Sequence, residues 1–134
     1  MIVVDTSVLA PFFIPGELSD DAQKAVQKDS SWIAPRLWRS EFRNVLATHL
    51  RVQKMTLEQA VETISNAEDF LRDRDYEIDS AAVLDLASRS GLSAYDCEFI
   101  VLAQQFGIPL LTADRRLMTA FPETALSLRQ WLGR

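Results

Sequence analysis

Four acids stand where carboxylates could act together: Asp5, Glu41, Asp96 and Asp114. Asp5 closes the short apolar run Ile2-Val3-Val4, and Asp114 comes two residues after Thr112, which ends a second run from Pro109. Asp96 lies three residues after Ser93, a residue type that caps helices, and Glu41 sits within the first two turns of an expected helix from Leu37. If these positions face one crevice, the carboxylates repel one another unless cations lie among them. Oxygen-only ligands favour magnesium or manganese. Such ions lower the pKa of a bound water and neutralise charge on a phosphodiester, so hydrolysis of a nucleic acid is the chemistry this set suits.

Other chemistries lose ground. The chain has one histidine, His49, read as structural or solvent-facing, and one cysteine, Cys97, read as a small buried apolar residue. It therefore offers no internal disulfide and no zinc-ligand spacing. No Gly-x-Ser-x-Gly elbow or phosphate-cradling glycine loop occurs. An aspartyl-nucleophile phosphatase would want a second acid two positions after Asp5, where this chain has Ser7. Lys plus Arg total 14 against 19 Asp plus Glu, a net charge of −5. Overall charge cannot draw in a nucleic acid, so arginines near the acids, namely Arg36, Arg39, Arg43, Arg115 and Arg116, are the candidates for phosphate contact. The absence of a leader-like start or a membrane-length apolar run suggests a cytoplasmic protein with no membrane association.

The elements that position these residues follow from periodicity. Ile2 to Val4, Trp32 to Ala34 and Pro109 to Thr112 read as short buried strands. Leu37 to about Val52 carries an apolar stripe at helical spacing, and a capping box at Thr56 and Gln59 opens a second stripe from Leu57 to about Arg74. Ser80 is placed as the cap of a helix ending at Ser90 before Gly91, and Ser93 as the cap of one from Ala94 to Phe106 before Gly107. The rest reads as a short C-terminal strand and turn, and Phe12-Phe13-Ile14 as core. Strands alternating with helices imply one α/β layered domain over residues 1–134 with a mostly parallel sheet. In such a sheet, ligands bind beyond the carboxyl ends of the strands.

The opening Val3-Val4-Asp5-Thr6-Ser7-Val8-Leu9, the segment Ser40-Glu41-Phe42-Arg43-Asn44-Val45-Leu46, then Leu92-Ser93-Ala94-Tyr95-Asp96 and Leu110-Leu111-Thr112-Ala113-Asp114-Arg115-Arg116 together resemble the PIN-domain ribonucleases, and within them the VapC-type toxins of toxin-antitoxin systems. The resemblance spans essentially the whole chain. It implies a three-layer fold around a five-stranded, mostly parallel sheet and a magnesium- or manganese-dependent endoribonuclease. It also implies homodimers, and inhibition by a VapB-type antitoxin. It assigns catalysis and metal binding to Asp5, Glu41, Asp96 and Asp114, and supporting roles to Ser7, Asn44 and Thr112. Some relatives carry a further acid just after the last aspartate, where this chain has Arg115 and Arg116, which leaves the number of metals open.

Each residue also has a plainer reading. Asp96 could complete a helix cap, Asp114 could be a turn acid, and Glu41 a solvated helix residue. Asn44, three residues from Glu41 on one helix face, could orient it or be a surface amide. The apolar positions of the two long helices, Trp38 included, could serve the core or offer a docking face. A non-catalytic PIN-like module that binds RNA or a partner stands as the alternative to an enzyme.

Overall fold

The computed structural model describes residues 1–134, and its elements alternate as expected. They run β1 (Ile2–Val4), α1 (Thr6–Phe13), α2 (Ser19–Lys28), β2 (Trp32–Pro35), α3 (Leu37–Arg51), α4 (Leu57–Phe70) and β3 (Asp75–Tyr76). Then follow α5 (Ser80–Ser90), α6 (Ala94–Phe106), β4 (Leu110–Leu111), α7 (Arg115–Ala120), β5 (Ala125–Leu126) and α8 (Leu128–Trp131). The strands form one sheet in the order β3-β2-β1-β4-β5, and every pairing is parallel. From β1 the chain builds outward through β2 to β3, and α5 and α6 then carry it back to β4 on the other side of β1. The direction of building reverses between β1 and β4, which opens a crevice at their carboxyl ends.

Both faces of the sheet are covered. Ile2, Val4, Trp32, Ala34 and Leu111 join one core with residues of α1, α2, α3, α4 and α8. Their sequence neighbours Val3, Ile33 and Leu110 join a second core with α5, α6 and α7. The alternation is the two-residue period of a strand, and because both faces are dry the strands read as unbroken apolar runs. An aromatic group holds α1, α3 and α4 to the first face: Phe13 lies edge-on to Phe42 and Phe70, and Phe12 packs on Trp32. Trp38 is core and supplies no docking face.

Several elements differ from expectation. The segment between β1 and β2 forms two helices, and the C-terminal part adds α7 and α8 to the expected strand. These helices are short, and α1 contains Pro11, so no long stripe announces them. The stripe of α4 runs on to Leu71, which is buried, but the helix stops at Phe70. Asp73 turns left-handed (φ 61°), and the Arg74 carbonyl accepts from Ala34 N–H (3.2 Å), starting the unforeseen edge strand β3. The cap of α5 is Asp79, whose carboxylate accepts from Ala82 N–H (3.0 Å); Ser80 is already inside the helix. Ser93 caps α6 and Gly107 ends it in the left-handed conformation (φ 63°), as the sequence suggested.

Phe42 neighbours Glu41 and is fully enclosed between Phe13 and Trp38. Phe42→Ala should therefore cost about 3–5 kcal/mol, checked by urea unfolding; a loss below about 1 kcal/mol would mean that α3 is held otherwise.

Candidate active site

Asp5 is the first residue beyond the central strand, in extended conformation, and it caps α1. One carboxylate oxygen accepts from Ser7 N–H (3.1 Å) and from the Ser7 hydroxyl (2.5 Å), and the other accepts from the Thr112 hydroxyl (2.5 Å). The same hydroxyls reach across to the β4 end: Ser7 Oγ accepts from Ala113 N–H (2.8 Å), and Thr112 Oγ1 from Asp114 N–H (2.9 Å). The ends of β1 and β4 are thus tied through one buried carboxylate. Burial pushes that carboxyl up from 3.8 to about 6; the Ser7 and Thr112 donors oppose the shift, and the charge of Glu41 adds to it.

Glu41 projects from the second turn of α3 and accepts from the Thr6 hydroxyl (2.7 Å). Its carboxyl is raised by burial and, further, by the charge of Asp96. Glu98, one turn into α6, is likewise raised by burial and by Glu41. No arginine or lysine offsets the charge on this side of the site.

Asp96 and Asp114 are arranged differently. Ser93 Oγ accepts from Asp96 N–H (3.1 Å), yet the Asp96 carboxylate does not bend back to complete a capping box; it faces Arg116. Asp114 caps α7, accepting from Arg116 N–H (2.9 Å). The Arg116 guanidinium grips both Asp114 oxygens, Nε to Oδ1 at 3.2 Å and Nη2 to Oδ2 at 2.7 Å, and Nη2 lies 3.4 Å from Asp96 Oδ2. Arg116 accordingly holds Asp114 below its ordinary value.

Among the expected supporting residues, Ser7 and Thr112 both bond Asp5, whereas Asn44 makes no side-chain bond to Glu41. Thr6 takes that position instead, and its adjacency to Asp5 at the start of α1 was the available signal. Glu98 was also missed; its signal was a polar residue two positions after Asp96 in the otherwise apolar stretch from Cys97 to Ala103. Arg43 and Arg115 are exposed and unpaired, while Arg36 pairs with Glu77 and Arg39 with Glu68. His49 lies half-buried with Nδ1 at 2.9 Å from the Val45 carbonyl, and Cys97 is buried. Beside Glu41 runs a groove of about 680 Å³ walled by Pro11, Leu37, Val45 and Tyr95.

The donor set is all carboxylate oxygen, the ligand chemistry that hard divalent cations take. Asp5 and Glu41, both raised by burial and by like charge, are groups that a cation would relieve. No three of the acids are arranged to close on one ion as they stand, with Asp96 and Asp114 turned to Arg116. By donor chemistry the residues present fit a hard divalent cation.

A PIN domain family model matches residues 2–123. Ribonuclease VapC3 from Pyrobaculum aerophilum is 29 % identical over 124 residues, covering 90 % of this chain and 95 % of that protein. The crystal structure of PAE2754 from Pyrobaculum aerophilum matches with a TM-score of 0.74 at 22 % identity, over 99 % of this chain and 97 % of that one. FitAcB from Neisseria gonorrhoeae matches with a TM-score of 0.71 at 15 % identity, over 96 % and 98 %. Both superpositions speak for the fold.

Because the folded chain binds the Asp5 proton more tightly than an unfolded one, this carboxyl contributes stability below pH about 4 that is lost as the pH rises through about 6. The Asp5 carboxyl carbon should titrate by NMR with a midpoint near 6; a midpoint near 4 would show that the hydroxyl donors outweigh burial. Thr112→Val removes a donor to the charged form, so it should move the midpoint upward and cost about 1–3 kcal/mol, read by urea unfolding.

Proposed function

This chain belongs to the PIN domain family, and from that membership we propose that it is a magnesium- or manganese-dependent endoribonuclease of VapC type, the toxin of a toxin-antitoxin pair. The observation that carries the reading is the burial of Asp5 at the reversal of the sheet, beside Glu41, with like charges raising both carboxyls. Acids brought together at such a cost suit a site that takes a cation. The likeness to a protein named Ribonuclease VapC3 supports the substrate class.

Asp5, Glu41, Asp96 and Asp114 would hold the metal. A bound magnesium or manganese ion would acidify water and neutralise charge developing on the phosphodiester. The chain's own residues do the positioning. Ser7 and Thr112 fix the Asp5 carboxylate from behind, and Thr6 fixes Glu41, so both present defined oxygens to the crevice. Exposed Arg43 and Arg115, with Arg116 when it is not engaged by the acids, would hold RNA phosphates that the net charge of −5 would otherwise repel. No side chain serves as nucleophile, so water attacks phosphorus and the products carry 5′-phosphate and 3′-hydroxyl ends.

The same reading supplies the partners. A VapB-type antitoxin would lay an amphipathic segment on the surface of α3 and α4 and bring a basic side chain to the acids, and a second copy of the chain would complete a homodimer. No helix is long and apolar enough to cross a membrane. The alternative, a PIN-like binding module without catalysis, is separated by cleavage itself.

Antitoxin-free protein incubated with total RNA should yield fragments only with magnesium or manganese. Asp96→Asn should lower the rate by about a hundredfold or more with the fold intact by circular dichroism. Cyclic phosphate ends would overturn the mechanism, and absence of cleavage with any metal would favour the binding module.

A further inference from the structure

Arg116 is the one basic side chain engaged with the acids of the crevice, and it engages two of them at once. Its fork occupies both oxygens of Asp114 and one of Asp96. Asp114 is left with no unengaged carboxylate oxygen and Asp96 with only Oδ1, so guanidinium and divalent cation compete for the pair. The contact is also made to be exchanged. The Arg116 side chain is 68 % exposed while those of Asp96 and Asp114 are 24 % and 27 % exposed, so the arginine lies over the acids from the solvent side and can leave without disturbing the core. Its backbone N–H makes a separate bond to Asp114 Oδ1 (2.9 Å), which does not involve the guanidinium. Arg115, by contrast, lines a separate cleft with Thr112, Met118 and Leu128.

We propose that Arg116 is a resident counter-ion of the Asp96–Asp114 pair that exchanges with the divalent metal, so that metal loading releases its guanidinium to hold RNA phosphate. This inference rests on the metal-dependent reading above and adds to it an intrachain competitor that sets the affinity for the ion. On exchange, one positive charge leaves the pair and two arrive, and the freed planar fork, still tethered in the first turn of α7, matches the bidentate geometry of a phosphate. The acids on the Asp5 and Glu41 side have no such counter-ion, so they draw the cation in while Arg116 restrains its capture by the other two.

The test is calorimetric titration of Mn2+ into the parent, Arg116→Gln and Arg116→Lys, beside an NMR titration that follows the Arg116 side-chain Nε–H signal as Mg2+ is added. Arg116→Gln should bind Mn2+ about tenfold more tightly than the parent. Arg116→Lys, which keeps the charge and loses the fork, should fall between them. The Nε–H signal of the parent should move to the position of a solvent-exposed arginine at saturating Mg2+. Equal Mn2+ affinity in parent and Arg116→Gln, or an Nε–H signal unmoved at saturation, overturns the exchange and leaves the nuclease reading standing. No Mn2+ binding by any of the proteins overturns both.

Discussion

A carboxylate at the end of a buried parallel strand has to be held, and Asp5 is held from three directions by two hydroxyls and a backbone N–H. Its position gives it structural work: it caps α1, and through Ser7 and Thr112 it bonds the chain that leaves β4. The β1 and β4 ends are the lips of the crevice, so the group that ties them also stands in its middle. These three hydrogen bonds do not cancel the cost of burial, because the donors are neutral and the surroundings are dry; the raised carboxyl is the residue of that imbalance.

The remaining acids reach the crevice on helices, each oriented by a local device. Glu41 arrives on α3, whose seating against the sheet depends on Phe42 and Trp38, and Thr6 of the neighbouring α1 fixes its head. Asp96 is set by the Ser93 cap, and Asp114 by being a cap itself. A helix start brings both a defined backbone and partially positive N–H groups, which makes it a tolerable place for an acid. The two halves of the cluster are electrostatically unlike: burial and like charge raise Asp5 and Glu41, while an arginine settles Asp114. One site therefore contains carboxylates short of a cation and carboxylates that already have one.

Much of this was legible in the residues. Apolar runs ending at Asp5 and near Asp114, the stripe of α3, and the Ser93 and Gly107 signals at the ends of α6 are local, and local sequence is sufficient where steric preference and burial act within a few residues. Unlike these, α1, α2 and α7 are short helices whose stability comes from the layers they cover, and β3 exists because the N–H groups of Ala34 in β2 and of Arg36 just beyond it take up the Arg74 and Tyr76 carbonyls. The cap of α5 moved by one residue, from Ser80 to Asp79, since two adjacent residues could each serve and only the fold chose.

The sequence by itself determined the alternation of strands and helices, the burial of both sheet faces, and the placing of acids beside strand ends and helix starts, because each follows from residue type and short-range spacing. Tertiary structure alone decided which side chain steadies which acid. It put Thr6 rather than Asn44 on Glu41 and brought Glu98 within reach of the same charge. It also brought Asp96 of α6 to Arg116, whose pairing with Asp114 two residues earlier is local. Hydrogen bonds and charge pairs depend on ångström distances between segments that meet only when the sheet has formed, and no pattern along the chain encodes them.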